Sequence, residues 1–147
     1  MANEYAAAAD VLATVGTDIK DDLAMDVDGG TDYTLSLIAQ VSRVLDGYFY
    51  ARYEVPLTDT TALATVLPHA VNMARWMLLE RRFSGRYDTE GARWLYEQSL
   101  TWAKDVRDKK ADIPGATGKG DTAATAAGTT SWTSNAVMYP VGTARGF

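Results

Sequence analysis

Few residues in this chain of 147 have the types and spacing that catalysis requires. Cysteine is absent, which excludes a disulfide framework, a thiolate metal site and a cysteine nucleophile. His69 is the single histidine, so no second imidazole shares a metal ion with it and we expect a structural role. Gly118-Lys119-Gly120-Asp121 lacks the upstream glycine, the preceding strand and the following helix of a phosphate loop. The residue types therefore argue against an enzyme and against a bound cofactor.

Acidic residues alternate around glycines in Asp26-Val27-Asp28-Gly29-Gly30-Thr31-Asp32, as they do in calcium-binding loops. The EF-hand pattern also needs an oxygen ligand at the fifth position and a glutamate at the twelfth. This chain has Gly30 and Leu37 at those positions. We therefore expect a solvated loop and no bound metal.

The net charge of −5 is unevenly distributed. Residues 1–32 contain eight acidic residues and one lysine, residues 33–110 contain eleven basic and nine acidic residues, and residues 111–147 contain two of each. No basic footprint is present, so we expect no sequence-specific binding to DNA. No apolar run reaches the roughly 18 residues of a membrane span, and no cationic region precedes the first apolar stretch as in a secretory signal.

Apolar residues recur at three- and four-residue steps through the first 110 residues, which predicts an all-α fold. The predicted helices span residues 6–15, 34–53, 63 or 68 to 82, and 89–110. Asp32 is expected to cap the second helix, and Pro68 is expected in the first turn of the third. Short connections between about four helices predict a small bundle.

Residues 111–147 differ from this body in composition. Of these 37 residues, 23 are Ala, Thr, Gly or Ser. Such a segment cannot bury enough apolar surface to offset the entropy that it loses on ordering, so it does not fold alone. We therefore predict a helical body at 1–110 and an extended C-terminal arm at 111–147. Larger side chains return near the end, and we expect Trp132, Tyr139, Arg145 and Phe147 to anchor the arm on a partner. The composition of residues 131–141 also allows a short strand.

Two groups in the body are candidates for contacts with a neighbouring subunit. Tyr48, Arg52 and Tyr53 lie around Gly47, whose place inside a helix has two explanations: close approach of another helix, or a kink that presents Tyr48 and Arg52 to a neighbour. Arg81, Arg82 and Arg86 form either a solvated helix end or a patch that meets an acidic surface, such as residues 18–32 of the next subunit. Four tryptophans and eight tyrosines also favour self-association.

The most specific stretch runs from Leu45 to Leu57. Its Asp46-Gly47-Tyr48, followed by Arg52-Tyr53 and Pro56-Leu57, resembles a motif of the Mu-like gp36 family of phage neck proteins. Three further stretches are similar to that family, and the resemblance covers roughly residues 5–110. They are Tyr5 to Gly16, Val71 to Trp76, and Arg86-Tyr87 followed by Trp94-Leu95.

The resemblance implies a structural virion protein, specifically a head–tail connector or head-completion protein at the neck. Such proteins form a ring, commonly a dodecamer, beneath the portal. The implied partners are other copies of the chain, the portal protein and the next neck or tail-terminator protein, with genomic DNA passing through the lumen. Assembly would take place in the host cytoplasm, and the acidic segment 18–32 is a candidate for the lumen surface.

A second hypothesis needs no ring. A small acidic helical protein could instead bind or regulate a partner as a monomer or dimer. The two hypotheses differ in whether the protein is present in virions.

Overall fold

The computed structural model describes residues 4–25, 29–84, 86–87 and 89–120. These ranges contain five helices: α1 (Ala8–Thr14), α2 (Thr17–Leu23), α3 (Thr31–Phe49), α4 (Thr60–Phe83) and α5 (Glu90–Arg107). They contain no strand, and one isolated antiparallel bridge joins Tyr53 to Gly118. The predicted all-α helical bundle is confirmed. None of these helices has both the length and the apolar character needed to cross a membrane.

The main core lies where α3, α4 and α5 meet, and α1 covers one side of it. Full burial of a large apolar side chain stabilises a fold by about 1.5–3 kcal/mol, so this core holds the three long helices together. Its fully buried side chains include Val11, Ile38, Leu45, Phe49, Val66, Met73 and Val106. Phe49 also meets Trp102 of α5 edge-on, with ring centroids 5.7 Å apart.

A second apolar cluster joins α2 to the first half of α3, the end of α4 and the start of α5. Ile19 and Leu23 of α2 are buried in it, one helical turn apart. The sequence pattern predicts no helix here, because two apolar residues among four charged ones give no clear amphipathic pattern. A helix of seven residues is unstable alone and is stabilised by this cluster.

The start of α3 corrects one prediction. Gly30, and not Asp32, is the N-cap residue, and its φ of 77° lies in the left-handed region that favours glycine. A Cβ atom at Gly30 would lie 2.6 Å from the side chain of Leu23. The close turn between α2 and α3 therefore selects glycine at this position, and the helix begins before Asp32.

The start of α4 corrects another. Asp59 caps the helix by accepting hydrogen bonds from the backbone N–H groups of Thr61 and Ala62, at 2.8 Å and 3.1 Å. Pro68 therefore lies inside α4 and not in its first turn. Its ring is exposed, and buried Val66 and Ala70 hold the helix against the core on both sides of it. The helix ends at Phe83, one residue after its predicted end at residue 82.

Candidate functional site

Arg52 lies where the chain after α3 meets the end of α5. Its Nη1 donates hydrogen bonds to the carbonyl oxygens of Val106 and Ala111, at 2.8 Å and 2.7 Å. Its Nη2 donates to the carboxylate of Asp112 at 2.6 Å. Only 18% of the Arg52 side chain is exposed. The Val106 carbonyl also accepts a hydrogen bond from the backbone N–H of Lys109 at 3.3 Å, so Arg52 adds a second, charged donor at the end of α5 and holds the segment that follows.

The contact with Arg52 also changes the pKa of Asp112. The hydrogen bond from Arg52 lowers the pKa of Asp112 below its ordinary value, and the positive charge of Arg52 acts in the same direction. Asp112 is largely exposed, so the ion pair itself adds little stability. Most of the contribution of Arg52 therefore comes from the two backbone carbonyls.

Tyr53 holds the same segment from inside the body. Its hydroxyl oxygen accepts a hydrogen bond from the backbone N–H of Ile113 at 3.2 Å, and both side chains are buried. Further along, the backbone N–H of Glu54 donates to the carbonyl of Thr117 at 2.9 Å, and that of Lys119 donates to the carbonyl of Arg52 at 2.7 Å. Residues 111–120, here called the arm root, are therefore attached to the body.

Tyr48 completes the set of motif residues at this end of the bundle. It is half-buried, and the guanidinium of Arg107 lies 5.8 Å from its ring centroid. The structure thus brings Tyr48, Arg52 and Tyr53 together around the end of α5 and gives each a partner in the same chain. Their predicted contact with a neighbouring subunit stays a prediction.

Tyr5 and Asp46 form a pair that the sequence pattern does not predict. The Tyr5 hydroxyl donates a hydrogen bond to Asp46 and accepts one from the backbone N–H of Leu57 at 3.1 Å. Burial raises the pKa of Tyr5 and also raises that of Asp46. The two residues are 41 positions apart, so no local spacing rule could have paired them.

Gly47 has no neighbour among the described residues that would explain a glycine. In that part of the chain nothing lies within 4 Å of the position that a Cβ atom would take, and the residue is exposed. Close approach of another helix of the same chain is therefore the wrong explanation. Gly47 lies in the last turn of α3, where glycine inside a helix costs up to about 1 kcal/mol relative to alanine, and no contact in the described residues offsets this cost.

The three arginines around the end of α4 do not share one patch. Arg86 forms an ion pair with Asp22 of α2 at 2.9 Å, Arg81 donates to Gln40 at 2.7 Å, and Arg82 lies over the ring of Tyr33. The Tyr87 hydroxyl also donates to Asp22, at 2.6 Å, and this bond raises the pKa of Tyr87. The acidic segment expected to meet these arginines from another subunit thus supplies a partner within the chain.

His69 has the structural setting expected for it. Its ring stacks on Trp102, with centroids 3.9 Å apart and planes 6° from parallel. Its Nδ1 lies 3.3 Å from the hydroxyl oxygen of Ser99. Burial lowers the pKa of His69 below its ordinary value. Across the described ranges, no group of three or more His, Cys, Asp or Glu residues is arranged to hold a metal ion.

Several predicted features lie outside the described residues. They are residues 26–28 of the acidic loop and the four anchors Trp132, Tyr139, Arg145 and Phe147, with the strand allowed at 131–141.

A family model matches most of the chain. The family model for bacteriophage Mu, Gp36 matches residues 5–131, which include all five helices and the whole arm root. No curated protein matches the chain.

Proposed function

The chain belongs to the bacteriophage Mu Gp36 family, which makes it a phage structural or morphogenesis protein associated with the virion, and we propose that it is a head–tail connector. The resemblance that the sequence indicated is thereby confirmed. In this proposal several copies form a closed ring at the neck, and the protein acts by assembly and not by catalysis.

The attachment of the arm root supports this proposal. Arg52 and Tyr53 hold residues 111–120 against one end of the bundle, so residues 121–147 continue from a defined point. A segment of low apolar content with large side chains at its end is suited to bind along a neighbouring protein. We propose that Trp132, Tyr139, Arg145 and Phe147 make those contacts.

The ring has three kinds of partner in this proposal. Neighbouring copies close it, commonly as a dodecamer, the portal protein binds one side, and the next neck or tail-terminator protein binds the other. Genomic DNA passes through the lumen without sequence-specific contacts. The exposed carboxylates Asp18 and Asp21 of α2 are candidates for the lumen surface, where negative charge repels phosphate and lets DNA slide.

Cryo-electron microscopy of purified virions tests the proposal directly. We expect density for a ring of copies between the portal and the tail, and a corresponding band for the protein in the particles. Complete tailed virions that do not contain the protein would overturn the proposal. They would favour the alternative of a small acidic regulator that acts during infection.

A further inference from the structure

A groove of about 390 Å³ runs between α4 and α5. Its walls come from the second half of α4 and the first half of α5. The lining residues are Trp76, Glu80, Thr89, Arg93, Tyr96 and Glu97. Below, this feature is called the α4–α5 groove.

Aromatic and acidic groups meet in the α4–α5 groove. The rings of Trp76 and Tyr96 lie against each other, with centroids 4.4 Å apart. Glu80 is exposed, and it has no hydrogen bond or ion pair with any residue in the described ranges. Glu97 pairs with Arg93 at 3.0 Å, but more than half of each side chain stays exposed.

These groups suit a guanidinium. Its flat face stacks on aromatic rings, and its N–H groups bond carboxylates in a fixed fork. Glu80 offers two free oxygen atoms beside the Trp76–Tyr96 pair. Counting Glu80, Glu97 and Arg93, the groove has a net charge of −1, so one added cation neutralises it.

The outer side of α3 offers such a cation. Arg43 is exposed and makes no hydrogen bond or ion pair with the rest of the described chain. Its neighbour Val44 is 44% exposed, and Gly47, one turn later, leaves the helix backbone bare. Arg43 is two positions from each of the buried residues Val41 and Leu45, which places it on nearly the opposite side of the helix.

We propose that Arg43 of one copy binds in the α4–α5 groove of the next copy, with its guanidinium between Glu80 and the Trp76–Tyr96 pair. This contact rests on the connector function proposed above. Since Arg43 faces away from the helices that form the groove of its own chain, the contact forms between copies. It joins two different surfaces, and repetition of such a head-to-tail contact gives a ring when the rotation between successive copies closes.

The contact also explains the open position at Gly47. A bare backbone one turn after Arg43 lets the helix of the neighbouring copy approach closely. The helix-weakening glycine thus has a role between subunits that it lacks within one chain.

A charge swap tests the contact. Phage that lack the gene are complemented with Arg43→Glu, Glu80→Arg or both, and the protein content of virions and the infectious titre are measured. Each single variant places like charges together, and we expect incorporation to fall by about tenfold or more. The double variant restores the attraction in reverse and should recover incorporation. Lys104→Glu is the control, because it reverses the charge of an exposed residue on α5 outside the proposed contact.

The outcomes separate the contact from the function. Single variants that enter virions as the unaltered protein does, or a double variant no better than the singles, would overturn the contact while leaving a connector in place. An unaltered protein that is itself missing from virions would overturn the connector function. Circular dichroism of each purified variant shows whether the fold is retained.

Crosslinking gives a second readout because the chain has no cysteine. In a variant with Arg43→Cys and Glu80→Cys, a short bifunctional thiol reagent applied to virions should produce a ladder of covalent multimers. Variants with one of the two cysteines should give no ladder. A ladder that is absent from virions which contain the variant with both cysteines would contradict the contact.

Discussion

Arg52 joins three parts of the chain through one guanidinium group. The turn after α3 provides the arginine, the end of α5 provides the carbonyl of Val106, and the arm root provides Ala111 and Asp112. Hydrogen bonds from a charged donor contribute more than neutral ones, and here two of them go to backbone groups. A single side chain therefore couples the body to the start of the arm.

Gly47 gives a prediction about stability at the scale of one residue. Gly47→Ala should raise the free energy of unfolding by about 0.5–1 kcal/mol, because alanine favours the helix and no atom obstructs its Cβ. Urea denaturation of the purified protein measures the change. Gly30→Ala is the matched control and should destabilise the fold, since Gly30 has a φ of 77° and Leu23 lies in the way. A less stable Gly47→Ala variant would contradict the prediction.

His69 gives a prediction about pH. Burial lowers its pKa below the ordinary value of 6.5, so the unfolded chain binds a proton more readily than the folded one. The contribution of His69 to stability is therefore complete above pH 6.5 and declines as the pH falls through the lowered pKa. Since the chain has one histidine, NMR titration of its imidazole signals reads this pKa directly.

A control separates His69 from the carboxylates, which also titrate in acid. Urea denaturation of the unaltered protein and of His69→Gln at several pH values gives the difference that belongs to the imidazole. An imidazole pKa at or above 6.5, or an equal pH dependence in both proteins, would show that the ring is not desolvated as the stacking on Trp102 implies.

At the scale of elements, the arm root depends on the motif at the end of α3. Arg52→Ala should lower the free energy of unfolding by about 2 kcal/mol, since two backbone carbonyls lose a charged donor. Hydrogen exchange followed by mass spectrometry should show that Arg52→Ala accelerates exchange in residues 111–120, relative to the unaltered protein, more than it does in α4. Asp112→Asn is the control: it removes only an exposed ion pair and should leave exchange nearly unchanged. Equal exchange in all three proteins would contradict this role of Arg52.

The short helix α2 shows how an element can depend on distant partners. Its apolar residues Ile19 and Leu23 are buried by other helices. Asp22 accepts hydrogen bonds from Arg86 and Tyr87, which lie in the connection between α4 and α5. Residues in the second half of the chain therefore stabilise a helix near its start.

At the scale of the whole molecule, two truncations separate folding from assembly. A chain that ends after Gly120 keeps the arm root, so we expect its melting temperature to match that of the full protein. A chain that ends after Lys110 loses Ile113, whose buried side chain contributes about 1.5–3 kcal/mol, and should melt lower. Thermal circular dichroism measures both.

The same truncations test the role of the arm in virions. If residues 121–147 bind a neighbour, the chain that ends after Gly120 should fold normally yet be missing from virions. Normal incorporation of this chain would show that the arm anchors are not required. A large loss of helix in it would show that residues 121–147 belong to the core of the body.

Local sequence patterns were sufficient for the presence of the three long helices and for the family, but not for where α3 and α4 begin. The apolar periodicity of α3 and α5 and the motif from Asp46 to Leu57 are properties of neighbouring residues. Composition alone likewise established that cysteine chemistry is absent. Such features follow from backbone geometry and side-chain type over one or two helical turns, so they can be inferred without knowing which helices meet.

Tertiary structure decided which residues meet across the chain. It paired Tyr5 with Asp46 and Arg86 with Asp22, stabilised α2 by burial, and left Gly47 open. These outcomes join positions 41 and 64 apart, or depend on whether a neighbouring helix is present at all. The relative placement of helices sets them, and that placement results from the simultaneous burial of many side chains and not from any local pattern.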